Sequence, residues 1–121
     1  FLKDYGIYTI IHTCGDIRKA VPLIIDAGID CLQPMEAKAG CNVLELGEAY
    51  AGRISFMGNI DVTVLSTNDK DKIKDEIEPK LKGITKKRIP YIFHSDHSIP
   101  YNVDLDTYKY ALELFHEYGK Y

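Results

Sequence analysis

The stretch IYTIIHTCGD, residues 7–16, joins a run of β-branched residues to a His-x-Cys-Gly turn. The run predicts a β-strand over residues 7–11, because β-branched side chains favour extended backbone. Asp16 comes directly after the turn and predicts the N-cap of a helix that Gly28 would close. The stretch therefore predicts a unit made of one strand, a polar turn and one helix.

Three similar units follow in the sequence. Short apolar runs predict further strands over residues 30–36, 54–60 and 91–94. Asn42, with Glu45 three residues later, resembles a capping box and predicts the start of a second helix. The predicted fold class is thus α/β, with four parallel βα units in one domain over residues 1–121.

The last two helices are predicted over residues 69–82 and 105–118, after a loop at residues 61–68. The charged helix at 69–82 has a single apolar stripe, which places it on the outside of the fold. Four apolar residues of the last helix are expected to face inward: Leu105, Tyr108, Leu112 and Phe115. Periodicity alone leaves two architectures open, an open doubly wound sheet or half of an eight-stranded barrel. No Gly-rich nucleotide fingerprint follows a strand, which weakens the dinucleotide-binding form of the open sheet.

The composition excludes several function classes. The chain has 121 residues and a net charge of −3, so nucleic-acid binding has no electrostatic support. No apolar run of membrane-spanning length and no signal peptide occurs in it. Its three cysteines are an odd number without a framework of short spacings, which favours a cytoplasmic protein with free thiols. The chain begins with Phe1 and runs straight into a strand, which indicates a fragment of a longer chain.

Polar residues follow every predicted strand. The four strand ends read His12-Thr-Cys14-Gly-Asp, Gln33-Pro-Met-Glu36, Gly58-Asn59-Ile-Asp61 and His94-Ser-Asp-His97. Because the carboxyl ends of parallel strands meet at one edge of a sheet, these groups are expected to lie together. The opposite strand ends show no comparable cluster.

A metal site is one interpretation of these strand ends. His12 and Cys14 are two residues apart and would share a face, where imidazole and thiolate favour zinc. His97 is the best candidate for a third ligand, and Glu36 for a fourth that substrate displaces. Other readings stay open. His97 could bind substrate instead, and Glu36 could cap a helix. Cys41 ranks as a weaker alternative ligand, whereas Cys31 lies in an apolar strand and is predicted to be buried.

The same residues resemble a known family. HTCGD at 12–16, RISFMGNID at 53–61 and HSIP at 97–100 keep the motif order of the uroporphyrinogen decarboxylase superfamily, which includes corrinoid (methylcobalamin:coenzyme M-type) methyltransferases. The resemblance covers nearly the whole chain. It implies a (β/α)8 TIM barrel of which this chain is the C-terminal half, with strands five to eight.

The resemblance also implies a chemistry. The corrinoid methyltransferases carry zinc on a His-x-Cys pair and a later Cys; His12 and Cys14 match the pair, and His97 stands in place of the later Cys. Glu36 matches an acidic position near the metal. Substrate or partner contacts are expected from the next strand ends, at Gln33, Asn59 and Asp61. The implied function is a zinc-dependent methyltransferase that acts on a small molecule together with a methylcobalamin-carrying corrinoid protein, and that is inactive as an isolated half barrel.

Two alternatives remain from the sequence. The first is a metal-free decarboxylase-like enzyme in which His97 and Asp61 only contact substrate. The second is a non-catalytic assembly fragment. In either case a half barrel exposes two sheet edges and an inner face, so we expect it to self-associate or to pair with the missing N-terminal half.

Overall fold

The computed structural model describes residues 2–121, in which each of four strands is followed by one α-helix, or by two after the third strand. The strands are β1 (Ile10–His12), β2 (Cys31–Gln33), β3 (Ser55–Met57) and β4 (Tyr91–Ile92). The helices are α1 (Val21–Asp26), α2 (Val43–Ala49), α3 (Val62–Leu65), α4 (Lys70–Lys87) and α5 (Leu105–Tyr118). Two short 3₁₀ turns, Leu2–Tyr5 and Ala37–Ala39, complete the described elements.

The four strands form one parallel sheet in the order β1-β2-β3-β4. A doubly wound sheet reverses its strand order at a switch point, whereas a barrel keeps the order of the sequence. The sequential order therefore decides between the two architectures that periodicity leaves open. The fold is that of half a TIM barrel made of βα units.

One face of the sheet is covered by helices and the other is open. Residues in register across the strands make the covered face, and all of them pack in the hydrophobic core: Ile11, Leu32, Phe56 and Tyr91. On the opposite face, Ile10 of β1 and Ile92 of β4 are 57% and 45% exposed. A second core cluster lies between α3, α4 and α5. Among residues 2–121, no helix is both long and apolar enough to cross a membrane.

The first βα unit starts later than its sequence predicts. Pairing of β1 begins at Ile10, because the carboxylate of Asp30 accepts hydrogen bonds from the backbone N–H and the hydroxyl of Thr9. The helix begins at Val21 rather than after Asp16, since Pro22 has no N–H and fits only the first turn. Asp16 instead binds Arg18 in a bidentate pair that lowers the pKa of its carboxyl to about 2.

The other predicted strands are also shorter than expected, because the backbone leaves the sheet at identifiable residues. Pro34, which offers no N–H to a ladder, ends β2. Gly58 and Asn59 have positive φ angles of 112° and 68° and end β3, after which Ile60 makes only an isolated bridge to Ser95. The fourth strand likewise ends at Ile92, two residues earlier than predicted.

The predictions for the middle helices are confirmed in part. Asn42 caps α2 as expected, accepting from the N–H groups of Leu44 and Glu45. The segment predicted as a loop at 61–68 contains the short helix α3, with Asp61 as its N-cap. The charged helix α4 continues to Lys87, five residues past its predicted end. Its buried stripe continues with it, and consists of Ile73, Ile77, Leu81 and Ile84.

The last helix has the predicted bounds but a different buried face. Leu105 and Tyr108 are 65% and 44% exposed, so the prediction that they face inward is wrong. The buried residues are Thr107, Ala111 and Leu114. This face is rotated by one residue, about 100° around the axis. Small side chains at 107 and 111 allow α5 to approach α4 closely, an advantage that hydrophobicity alone does not reveal.

Candidate metal centre

The turn after β1 brings His12 and Cys14 together, as their spacing predicts. His12 Nε2 lies 3.4 Å from Cys14 Sγ, and both side chains are exposed. The other ring nitrogen, Nδ1, lies 2.7 Å from Oε1 of Gln33, its register partner on β2. Because an amide oxygen only accepts, this contact places the proton on Nδ1 and leaves the Nε2 lone pair towards Cys14.

Glu36 reaches the same turn from the end of β2. Its Oε2 accepts a hydrogen bond of 2.6 Å from the backbone N–H of Gly15, the residue after Cys14. Gly15 has φ +86°, a conformation that glycine adopts without strain. The Glu36 carboxylate is thereby held beside the cysteine that precedes Gly15.

The loop after β4 supplies His97 and a buried neighbour, Asp96. The Asp96 side chain is only 1% exposed, whereas that of His97 is 43% exposed. His97 Nδ1 lies 3.3 Å from Asp96 Oδ1. The two Asp96 oxygens also accept from the backbone N–H groups of Ala37, at 3.2 Å, and Val62, at 3.0 Å. One buried carboxylate therefore joins the loops that follow β2, β3 and β4.

Ligand atoms from three strand ends converge in this region. One donor atom each of Cys14, Glu36 and His97 lies within 4.8 Å of the other two. His12 is outside this group but in contact with Cys14. Thiolate, imidazole and carboxylate are all zinc ligands. A tetrahedral zinc with bonds of ~2.0 Å to nitrogen and ~2.3 Å to sulfur separates those two ligands by about 3.5 Å. The His12–Cys14 distance of 3.4 Å fits that geometry, whereas donor atoms up to 4.8 Å apart in the group of Cys14, Glu36 and His97 would have to move closer by ~1–1.5 Å to share one zinc.

Asn59 is a buried residue that stabilises the loop between β2 and α2. It is buried, and both hydrogens of its amide nitrogen are used, at 2.8 Å each, by the carbonyls of Met35 and Cys41. Its Oδ1 accepts from the N–H of Val43 at 3.0 Å. The side chain thus holds the β2–α2 loop, and a substrate contact from it stays a prediction.

Asp61 caps α3 and is held in turn by α4. Its Oδ1 accepts from the backbone N–H and the hydroxyl of Thr63. Its own N–H donates to Glu76 Oε1, which pairs with Lys80 at 2.5 Å. Lys80 also donates to the carbonyl of Asn59. This half-buried ion pair fixes the backbone on both sides of Ile60, while the predicted substrate contacts of Asp61 and Gln33 stay predictions.

The remaining cysteines and His94 lie apart from the donor cluster. Cys41 is buried and donates its S–H to the carbonyl of Gly15 at 3.6 Å, so it supports the turn from inside. Cys31 is buried as predicted, and burial raises the pKa of its thiol. His94 lies over the carbonyl of Ser95 and lines an apolar cavity of about 160 Å³ between β4 and α5.

The sequence profile for uroporphyrinogen decarboxylase (URO-D) matches residues 1–118, almost the entire chain. The chain belongs to the uroporphyrinogen decarboxylase family. A comparison with curated proteins gives no significant match. Membership of this URO-D family assigns an enzyme-type fold to the chain, and the parallel sheet of four βα units agrees with it.

Sequence reasoning did not find three residues that shape this candidate site. Asp96 stands between the strand end and His97, and its position in His-Ser-Asp-His is the signal that could have found it. Glu76 and Lys80 are four apart on α4, a spacing that is usual for surface ion pairs. Nothing in that spacing shows that the pair reaches the loop after β3.

Proposed function

We propose that this URO-D family chain carries a zinc-dependent methyl-transfer site that works with a methylcobalamin-carrying corrinoid protein. One observation carries the proposal. Thiolate, carboxylate and imidazole donors from three separate strand ends lie within 4.8 Å of one another, and His12 approaches the same thiol at 3.4 Å. A decarboxylase that uses no metal has no need for a soft sulfur donor in such a cluster.

Two of the four proposed ligands, His12 and Glu36, are held by groups that fit this role. Gln33 fixes the His12 ring so that Nε2 is the available nitrogen, and the Gly15 N–H fixes one oxygen of Glu36. Hydrogen-bonded partners of this kind orient metal ligands and raise their affinity. Cys14 and His97 are exposed at the open edge, where a substrate can reach the donor atoms.

Glu36 is the ligand suited to exchange. Three strong donors and one exchangeable position are typical of catalytic zinc. Bound zinc would supply Lewis acidity that lowers the pKa of a substrate thiol or other nucleophile, so that its anion forms near neutral pH and accepts the methyl group. Glu36 would then keep its hydrogen bond to Gly15 while it leaves the metal, which limits the movement required.

The exposed apolar side chains on the open side of the sheet and on α5 indicate that another protein segment covers them. Ile10 and Ile92 on that face, and Leu105 and Tyr108 on α5, are exposed apolar side chains. Such surfaces are usually covered by another protein segment. We propose that the N-terminal half of the barrel, or a second copy of the chain, covers them. The isolated chain would then bind metal without turning over substrate.

Zinc content tests the function. We expect about one zinc per chain, measured by elemental analysis, in protein purified without chelator or affinity metal. The zinc should be lost in Cys14→Ala and in His97→Ala. Cys31→Ala and His116→Ala are matched controls, which remove a buried cysteine and an exposed helical histidine, and should keep it. A folded wild type without zinc, or zinc retained in Cys14→Ala, would contradict the proposal.

A metal-free enzyme is the second candidate, and the URO-D profile itself favours it because that profile is named for a decarboxylase. In this case His97 and Asp61 would bind substrate carboxylates or ring nitrogens directly. Both lie beside Asp96, which precedes His97 and binds the N–H next to Asp61. Substrate-analogue binding that persists in Cys14→Ala but is lost in His97→Ala would support this candidate over the methyltransferase.

A further inference from the structure

Asp96 is the most deeply buried acidic group of the described chain, and sequence analysis gave it no role. A buried carboxylate is costly unless hydrogen bonds compensate for the lost water. Here the compensation comes from the backbone N–H groups of Ala37 and Val62. Each of these residues directly follows a site residue, Glu36 or Asp61.

The third neighbour of this carboxylate is a predicted ligand. His97 Nδ1 lies 3.3 Å from Oδ1, the oxygen that also accepts from Val62. A carboxylate at one ring nitrogen favours the tautomer with the proton on that nitrogen, so the lone pair is on the other. Gln33 makes a shorter, hydrogen-bonded contact of 2.7 Å to His12 Nδ1, whereas the contact between Asp96 and His97 is electrostatic.

We infer that Asp96 is a positioning residue which sets the tautomer of His97 and holds it in register with Glu36. The inference rests on the proposed metal site for its effect on metal affinity, but its effect on the histidine tautomer does not depend on metal. Asp96 would neither bind the metal nor contact substrate. Its carboxylate would make Nε2 the donor atom of His97, while its backbone contacts fix the loop that carries Glu36.

The variant Asp96→Asn separates charge from size. An amide has the same shape, but its NH₂ group cannot accept, so either the Ala37 or the Val62 N–H loses its acceptor. The same change removes the negative charge beside Nδ1. The matched control is Asp69→Asn, because Asp69 also accepts from two backbone N–H groups, but at the N-terminus of its own helix α4.

The first measurement uses nitrogen NMR of the imidazoles in metal-free protein at about pH 8.5, two units above the usual histidine pKa. Wild-type His97 should carry its proton on Nδ1, and Asp96→Asn should shift the population towards the Nε2–H form. Asp69→Asn should leave it unchanged. A free imidazole prefers the Nε2–H form, so the Nδ1–H form of wild-type His97 is the decisive result, and the variant is compared only where its backbone amide shifts match those of wild type. Wild-type His97 in the Nε2–H form would overturn the inference even if the variant fails to fold.

The second measurement is a Co²⁺ titration followed by the thiolate-to-cobalt absorbance band. Asp96→Asn should bind Co²⁺ roughly 10–100-fold more weakly than wild type, the usual effect of removing a group that orients a metal ligand without binding the metal itself. An equal loss in Asp69→Asn would overturn the inference. If wild type binds no Co²⁺, the proposed metal site fails, and the tautomer measurement alone then decides the role of Asp96.

Discussion

At the amino end of the sheet, the carboxylate of Asp30 accepts from the N–H and hydroxyl of Thr9 and pairs with Lys3 at 2.7 Å. At the carboxyl end, Glu36 and Asp96 also accept from backbone N–H groups of neighbouring loops. The two ends are therefore built from the same kind of contact. The two ends differ in the side chains next to these contacts. At the carboxyl end they include an exposed thiol, that of Cys14, and an exposed imidazole, that of His97.

This difference shows how a site is distinguished from a structural junction in a parallel sheet. The Asp30 carboxylate only accepts hydrogen bonds from Lys3 and Thr9, which is a structural role. Glu36 and Asp96 hold loops in the same way, but they also lie beside soft and basic donor atoms, of which those of Cys14 and His97 are within 4.8 Å of each other. The second arrangement therefore has the donor atoms that the proposed metal site requires.

The largest difference between the two ends is expected from glycine substitution on either side of β3. A Cβ at Gly58, after the strand, would lie 1.9 Å from the carbonyl oxygen of Pro34. A Cβ at Gly52, before the strand, would meet nothing within 4 Å. We expect Gly58→Ala to lower the free energy of unfolding by roughly 3–5 kcal/mol. Gly52→Ala should lower it by only about 1 kcal/mol, since its φ is +71°. Urea denaturation measures both values, and equal losses would contradict the close approach at Pro34.

The rate of cysteine alkylation should differ between the two ends of the sheet. Cys14 at the carboxyl end is exposed, whereas Cys31 starts β2 and is buried, with the pKa of its thiol raised. Because the thiolate is the reactive form, iodoacetamide should label Cys14 about tenfold faster or more. Zinc should protect Cys14 and leave the slow labelling of Cys31 unchanged. Mass spectrometry of peptides gives both rates. Comparable labelling of Cys31 in the folded protein, or no protection of Cys14, would contradict this account.

The smallest effect is expected on acidification of the amino end. The hydrogen bond from Lys3, together with those from Thr9, lowers the pKa of Asp30 below its usual 3.8. A lowered pKa in the folded protein means that the stabilising contribution of the pair is complete above pH 3.8 and is lost as the pH falls from there through the lowered pKa. Lys3→Met should therefore reduce the loss of melting temperature between about pH 5 and pH 3, relative to wild type. Lys109→Met on the exposed side of α5 is the control. An unchanged acid profile in Lys3→Met would show that the pair contributes nothing measurable.

Much of the fold follows from local sequence. The Asn42–Glu45 cap, the apolar stripe of α4 and the bounds of α5 all depend on residues within one or two turns of each other, and they are confirmed. The predicted ends of the strands are less accurate. Pro34, the positive φ angles of Gly58 and Asn59, and the hydrogen bonds from Thr9 to Asp30 shorten the strands, and these hydrogen bonds join residues 21 apart in the sequence.

The candidate site was predictable to a similar extent. His12 and Cys14 are neighbours in sequence, and parallel topology brings Glu36 and His97 to the same edge. The partners that hold them could not be predicted. Asp96 contacts Ala37 over 59 residues of sequence, and Lys80 reaches Asn59 over 21. The prediction of the inward face of α5 is wrong for the same reason. That face packs against α4, where small residues fit better than the most apolar ones.

The ligand set of bound zinc tests the central claim most directly. X-ray absorption at the zinc edge counts sulfur and lighter ligands separately. We expect one sulfur ligand at ~2.3 Å, from Cys14, with the remaining ligands nitrogen or oxygen at ~2.0–2.2 Å. Cys14→Ala should abolish the sulfur signal together with the bound zinc. Two sulfur ligands would contradict the account, because the buried Cys41 would then have to leave the carbonyl of Gly15 and enter the site. Zinc bound without any sulfur would contradict it as well.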